Sequence, residues 1–245
     1  MSDEAKRWWE VHGRSYQRTC RIPVDVLYGT GSPNEQDLQL IGPVAGKPVL
    51  EIGCGGGQCA VAFAKQGASV TAVDIASSEI EFARDLAAEN GVAIGFHQRD
   101  MTDLSPIASE SQEVVFSANA FAYVDDLLAC FREVYRVLKP GGLFVWSVGH
   151  PFYLLDEQTL RPLHSYFDTG KFVEGEETGC AFAHNRRTVS DYVNTLAAAG
   201  FVIERMVEPD SRQRYAYDPW YGLFNYAPGL MALLPPTIIL KSRKA

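Results

Sequence analysis

Cysteines are few and badly placed for cross-linking: Cys20, Cys54, Cys59, Cys130 and Cys180 are the only ones in 245 residues, an odd number without a CxxC pair. That set builds neither a disulfide framework nor a zinc ribbon, and a reducing compartment, the cytoplasm, is the expected setting. No hydrophobic run approaches the roughly 20 residues of a membrane span. The most apolar stretch, APGLMALLPPTIIL, is broken by prolines, and the charged start MSDEAKRWWEVHGRSYQ does not read as a signal peptide. Basic residues are outnumbered, 22 Lys and Arg against 30 Asp and Glu, for a net charge of -8 without a basic stripe. Such a field repels a phosphate backbone, so nucleic-acid partners are not expected. No His or carboxylate pair stands at a metal-ligand spacing, and no metal is expected. Internal repeats and low-complexity tracts are missing as well.

What is present is the balance of a soluble globular protein, 47% hydrophobic and 21% charged. From Pro48 onward, short β-branched runs alternate with segments of helical length, the rhythm of βαβ units building a parallel sheet. PVLEIG, SVTAVD, AIGFHQRD, EVVFSAN and LFVWSVG read as five strands. The helix after the second opens with Ser78 and Glu81 at capping-box spacing. The helix after the fourth carries Val124, Leu127, Leu128, Phe131, Val134, Tyr135 and Leu138 as an apolar stripe stopped by KPGG. From His150 to Arg187 the rhythm breaks into an aromatic insertion, read as a hairpin covering a site. Thr188 then caps a further helix, followed by the strands FVIERMVEP and TIILKSRK. The expected division is one domain: an N-terminal helical lid over 1–47, a core over 48–149, the insertion over 150–187 and the rest of the sheet over 188–245.

The loop after the first strand, GCGGGQ, lets a ligand approach bare backbone amides at the start of a helix. The dinucleotide fingerprint requires glycine where this chain has Gln58, and Glu51 would sit poorly beside a diphosphate but well beside an ammonium group. Asp74, ending the second strand, is placed to accept from two ribose hydroxyls. Asp100, ending the third, can accept from an exocyclic amine such as that of adenine, with Ile75 and Met101 as apolar faces for the ring. Ammonium, ribose and adenine together describe S-adenosylmethionine. Alternatives stay open: the glycines serve a tight turn, Glu51 and Asp74 are solvated strand ends, and Asp100 pairs with Arg99 on the surface.

VLEIGCGGGQ, VDIASSEIEFA, RDM, FSANAFAYVDD and LKPGGLFVWS, in this order, resemble the class I S-adenosylmethionine-dependent methyltransferases, in particular a small-molecule branch similar to ubiquinone-biosynthesis C-methyltransferases. The resemblance implies an α/β, Rossmann-like, doubly wound sheet of seven strands, with helices on both faces and the last strand antiparallel. It assigns Gly53, Gly55 and Gly57 to the methionine moiety, Asp74 to the ribose, Asp100 and Met101 to the adenine, and Asn119 to the methionine end. Asn119 as a cap of the following turn is the competing assignment.

Ligands of open α/β sheets bind outside the carboxyl ends of the strands, so the acceptor is expected near Asn119, Phe121, Tyr123, His150 and Phe152. Trp9, His12 and Tyr16 fall on one face of an N-terminal helix and are expected to close the site, with core packing as the alternative for Trp9. An acceptor hydroxyl must lose a proton, for which His150 is the first candidate base and His184 the second. Tyr166, Phe167, Phe172, Phe182, Tyr217, Trp220, Tyr221, Phe224 and Tyr226 suit a planar or greasy acceptor; a homodimer interface or simple core filling is their alternative use. The expected function is methyl transfer to O, N or C of a small aromatic or isoprenoid-like metabolite. Its rivals are a catalytically silent cofactor-binding module and a nucleotide-dependent oxidoreductase, which Gln58 disfavours.

Overall fold

The computed structural model describes residues 3–153, 155–156, 158–175, 180–212 and 228–245. Tyr217, Trp220, Tyr221, Phe224 and Tyr226 lie outside the described residues. The elements run α1 (Asp3–Cys20), α2 (Glu35–Leu38), β1 (Pro48–Ile52), α3 (Gln58–Lys65), β2 (Ser69–Asp74), α4 (Ser77–Glu89), β3 (Ile94–Gln98) and β4 (Gln112–Ala118). A 3₁₀ turn (Phe121–Tyr123) leads into α5 (Leu127–Val137), β5 (Leu138–Gly149), β6 (Gly170–Glu174), β7 (Phe182–Arg186), α6 (Val189–Ala198), β8 (Phe201–Val207), α7 (Pro228–Met231) and β9 (Thr237–Lys244).

The main sheet has seven strands in the order β3-β2-β1-β4-β5-β9-β8. β1 to β5 pair in parallel, and β9 runs antiparallel to both β5 and β8, which gives the expected mixed sheet. Because successive strand residues face opposite sides, the apolar runs feed two cores at once. Leu50, Ile52, Val115, Phe144 and Trp146 pack with α5 and α6 on one face, while Val49, Val114, Phe116 and Val145 pack with Phe63 of α3 on the other. Strand order reverses between β1 and β4, and the crevice at that switch point is where the site forms.

Several local expectations shift. Val124 and Leu138 fall just outside α5, and β5 begins at Leu138. Its pairing with β4 is broken by a bulge at KPGG, where Gly141 takes φ +73°, and the ladder resumes at Leu143. Thr188 does cap α6, reciprocally with Asp191. The capping box expected at Ser78 and Glu81 does not form: Ala76 holds the cap position of α4 and has no oxygen to offer. The first turn is capped from outside by Glu10 of α1, whose carboxylate accepts from Ser77 N (2.8 Å), Ser77 Oγ (2.8 Å) and Ser78 N (3.1 Å). Glu81 instead pairs with Arg14 of α1 at 2.8 Å. A carboxylate at a helix N-terminus satisfies orphan amides and meets the positive end of the dipole, so α1 is fastened across α4.

The insertion does contain a hairpin, β6 with β7, with Phe172 opposite His184. It leans on α1 through Phe182 and Trp8, ring centroids 4.9 Å apart, and through Lys171 and Glu4 at 2.9 Å. No helix among the described residues is long and apolar enough to cross a membrane.

Candidate functional site

Two cavities open at the carboxyl ends of β1, β2, β4 and β5. The first lies over the glycine loop and is lined by Glu51, Gly53, Cys54, Gly55, Gly56, Asp74, Ile75, Glu79 and Asn119, with Trp9, Tyr16 and Gln17 of α1 opposite. The loop is tied to β2 by Asp74, whose Oδ2 accepts from Gly55 N at 2.8 Å and whose Oδ1 accepts from Ala76 N at 3.0 Å. Burial raises the Asp74 pKa against the pull of these bonds. Burial also pushes Glu51 up to about 8, with the Asp74 charge adding to it, and Glu79 up to about 7 for the same two reasons. One oxygen of each glutamate, Glu51 Oε2 and Glu79 Oε1, is buried without a hydrogen-bond partner. Three carboxylates and no basic side chain line this cavity among the described residues. Such a wall repels a diphosphate and suits a ligand carrying positive charge, as S-adenosylmethionine does at its ammonium and sulfonium.

Glu79 and Gln17 were not apparent from sequence. Gln17 Nε2 donates to Glu79 Oε2 (2.8 Å) and Gln17 Oε1 accepts from Gln58 Nε2 (2.7 Å), so a side chain of α1 is plugged against the loop. At Gly56 a Cβ would stand 2.7 Å from this amide, so a side chain there would have to displace Gln17. The sequence signal for Glu79 was an acidic residue in the first turn after Asp74, where the cap reading drew attention to Ser78 instead.

The second cavity, about 730 Å³, lies between α1, the end of β5 and the insertion. Trp8, Trp9, Tyr123, Phe152, Tyr166 and Phe182 supply most of its apolar wall. Phe152 stacks on Tyr166 with ring centroids 4.3 Å apart, and Tyr123 meets Phe182 edge-on at 5.7 Å. Trp9, Tyr16, Asn119 and Tyr123 line both cavities and form the throat between them. Asn119 takes φ +58° there, a conformation few non-glycine residues adopt, and strain of this kind persists only where the surroundings fix it.

Of the candidate residues, Glu51, Gly53, Gly55, Asp74, Ile75 and Asn119 line the first cavity, Asn119, Tyr16 and Tyr123 the throat, and His150, Phe152 and His184 the second cavity. The rest are corrections. Gly57 turns its α-carbon toward Ala83, where a Cβ would stand 2.8 Å away, so it serves the packing of α3 on α4 and Gly56 takes its place in the lining. Asp100 lies outside the lining, and its Oδ1 accepts from Thr102 N and Thr102 Oγ1 in a local turn. Met101 is buried under Gly53 rather than facing the cavity. Phe121 points into the core among Phe131, Phe144 and Trp146, because the 3₁₀ turn directs it inward. His12 packs on Trp8 and lines neither cavity.

The two histidines differ in what they have left to give. His150 is enclosed, its Nδ1 accepting from Phe152 N at 3.1 Å and its Nε2 lying 2.8 Å from Glu208 Oε1. That pattern puts its proton on Nε2 and uses its lone pair, which suits a residue fixing the turn after β5 and not a base. His184 Nδ1 has no partner. Burial lowers its pKa, opposed by Glu174 and joined by Arg186 and His164, so the neutral ring is favoured.

Comparison with known proteins fits this geometry. Residues 50–146 match a family model described as a methyltransferase domain. Ubiquinone biosynthesis O-methyltransferase of Sodalis glossinidius is 31% identical over 143 residues, 58% of this chain and 54% of that protein, so the chain spans little more than half of the curated relative it matches. An S-adenosylmethionine-dependent methyltransferase of Mesorhizobium loti superposes with a TM-score of 0.67 at 26% identity, covering 84% of this chain and 94% of the other. Geranyl diphosphate C-methyltransferase of Streptomyces coelicolor, solved with S-adenosyl-L-homocysteine, shares the fold at 17% identity and a TM-score of 0.61, covering 86% and 74%. Through the matched core of residues 50–146 the chain carries a methyltransferase domain, on the fold of the S-adenosylmethionine-dependent methyltransferases.

Proposed function

We propose that this chain transfers a methyl group from S-adenosylmethionine, held in the first cavity, to an O, N or C atom of a small aromatic or isoprenoid-like metabolite held in the second. The observation that carries this reading is the shared throat at Trp9, Tyr16, Asn119 and Tyr123, which brings a ligand in one cavity against a ligand in the other. When bound, the cofactor supplies an electrophilic methyl group on a cationic sulfur. The chain's part is then positioning. Asp74, with lone pairs left beyond its two amide bonds, takes the ribose hydroxyls. Glu51 and Glu79, with an unpartnered oxygen each, receive the ammonium side. The rings of Trp9, Tyr16 and Tyr123 exclude water at the throat and present electron-rich faces to positive charge. For a hydroxyl acceptor, His184 takes the proton on its free Nδ1, the role first expected of His150. Lid, core, insertion and C-terminal part act as one unit, each lining at least one cavity.

Calorimetric titration with S-adenosylmethionine, followed by S-adenosylhomocysteine release across a panel of phenolic, amine and prenylated acceptors, tests the reading. Binding and turnover are expected. His184→Gln should lower kcat for hydroxyl acceptors by about 10²-fold or more with KM and cofactor affinity near wild type. His150→Gln should cost stability first. Absence of cofactor binding overturns the function, and an unchanged kcat in His184→Gln removes it as base.

A further inference from the structure

The walls of the two cavities carry opposite charge. Against the three carboxylates of the first, the described lining of the second holds two guanidinium groups, Arg186 and Arg187, with Asp168 as its single acid. This is unexpected in a chain of net charge -8 and asks for an explanation. Arg187 has one: its guanidinium donates to the carbonyls of Phe121, Val124 and Asp125, fastening the 3₁₀ turn to the end of the hairpin. Arg186 does not. It is only 8% exposed, yet its Nε and Nη1 have no hydrogen-bond partner. Its ion pair with Glu174 is long, 3.5 Å to Nη2, and Glu174 itself sits largely in solvent. The guanidinium carbon lies over the Phe172 ring, 3.7 Å from its centroid, a contact that does not use its N–H groups as hydrogen-bond donors. The neighbouring His184 Nδ1 is the third unpartnered polar atom on this strand.

A buried cation with unused donors beside an apolar cavity is costly unless a ligand completes it. On the reading of the second cavity as the acceptor site, we propose that the acceptor is an aromatic monocarboxylate, its carboxylate anchored by Arg186 and its ring against Phe182 and Tyr123 at the throat. One guanidinium with two unpartnered nitrogens and with Asp168 lining the same cavity suits a single negative charge better than a phosphate dianion. Phe182 and Arg186 are four residues apart on β7, roughly 13 Å along an extended strand. The methylated atom therefore lies at the far end of the molecule from the carboxylate, with His184 between the two.

The test is made on the ligand first, so that it does not depend on a variant folding. Quenching of the Trp8 and Trp9 fluorescence is titrated in the S-adenosylhomocysteine-saturated protein with salicylate, coumarate, caffeate and indoleacetate, each beside its methyl ester, and with phenyl phosphate. At least one acid is expected to bind about tenfold or more tightly than its ester, the usual worth of a charge-assisted pair. Arg186→Gln should abolish that preference while leaving ester affinity and the melting temperature near wild type, and Glu174→Gln should keep the preference. Equal affinity for acids and esters, binding of none of the acids, tighter binding of phenyl phosphate, or an equal loss for acid and ester in Arg186→Gln would each overturn the proposal. Failure to bind S-adenosylmethionine would instead sink the methyl-transfer reading and leave the acid preference measurable.

Discussion

Replacing Glu79 by glutamine should make the cofactor-free protein less sensitive to alkaline pH while weakening cofactor binding. Burial and the Asp74 charge lift this carboxyl from an ordinary 4.5 to about 7. A carboxyl whose folded-state pKa is raised holds its proton more tightly when folded, so stability falls as pH climbs from 4.5 to 7 and stays lower above. The ionised form therefore costs about 3 kcal/mol above neutrality. In Glu79→Gln that loss disappears, although an amide NH₂ without a partner adds a pH-independent penalty of about 1–3 kcal/mol. The difference between two pH values removes this offset. Between pH 5 and pH 8 the wild type should lose most of about 3 kcal/mol more than the variant, roughly 5–10 °C in Tm for a chain of this length. Chemical and thermal unfolding without cofactor at both pH values measures it. Adding S-adenosylmethionine should recover more stability in the wild type than in the variant, because the positive ligand relieves the buried charge. The same pH dependence in both proteins would refute the reasoning.

Asp74→Ala removes a carboxylate that both faces the cavity and holds the Gly55 amide, so cofactor affinity should drop by about 1.5–3 kcal/mol for each charge-assisted bond lost, read by calorimetry. Gly57→Ala places a side chain 2.8 Å from Ala83 Cβ at φ +77°, and should cost about 1–3 kcal/mol in denaturant unfolding while the folded fraction keeps its cofactor affinity.

Much of the sheet was legible because strand ends coincide with composition. SVTAVD and TIILKSRK are bounded as read, and Glu51 and Asp74 line the crevice because a strand end fixes a side chain's place relative to it. Residues whose position depends on a turn were misread. Phe121 and Tyr123 both follow closely on β4, yet one turn of 3₁₀ helix sends the first ring to the core and the second to the throat. Asp100 was expected to end the third strand, but β3 stops at Gln98 and a turn with Thr102 engages the Asp100 oxygen. Glu79 with Gln17, and Glu10 with Ser77, are pairs 62 and 67 residues apart, created by the docking of α1 on α4 and invisible to any local pattern. His150 shows the remaining limit: its residue type suits a base, and only its two engaged nitrogens reveal otherwise.

The docking of α1 by Glu10, Gln17 and Arg14 has a consequence for both ligands. This one helix supplies wall to both cavities, so any tilt of it changes both pockets at once. A substitution that loosens α1 at Glu10 or Arg14, outside both linings, should therefore weaken binding in the two pockets together.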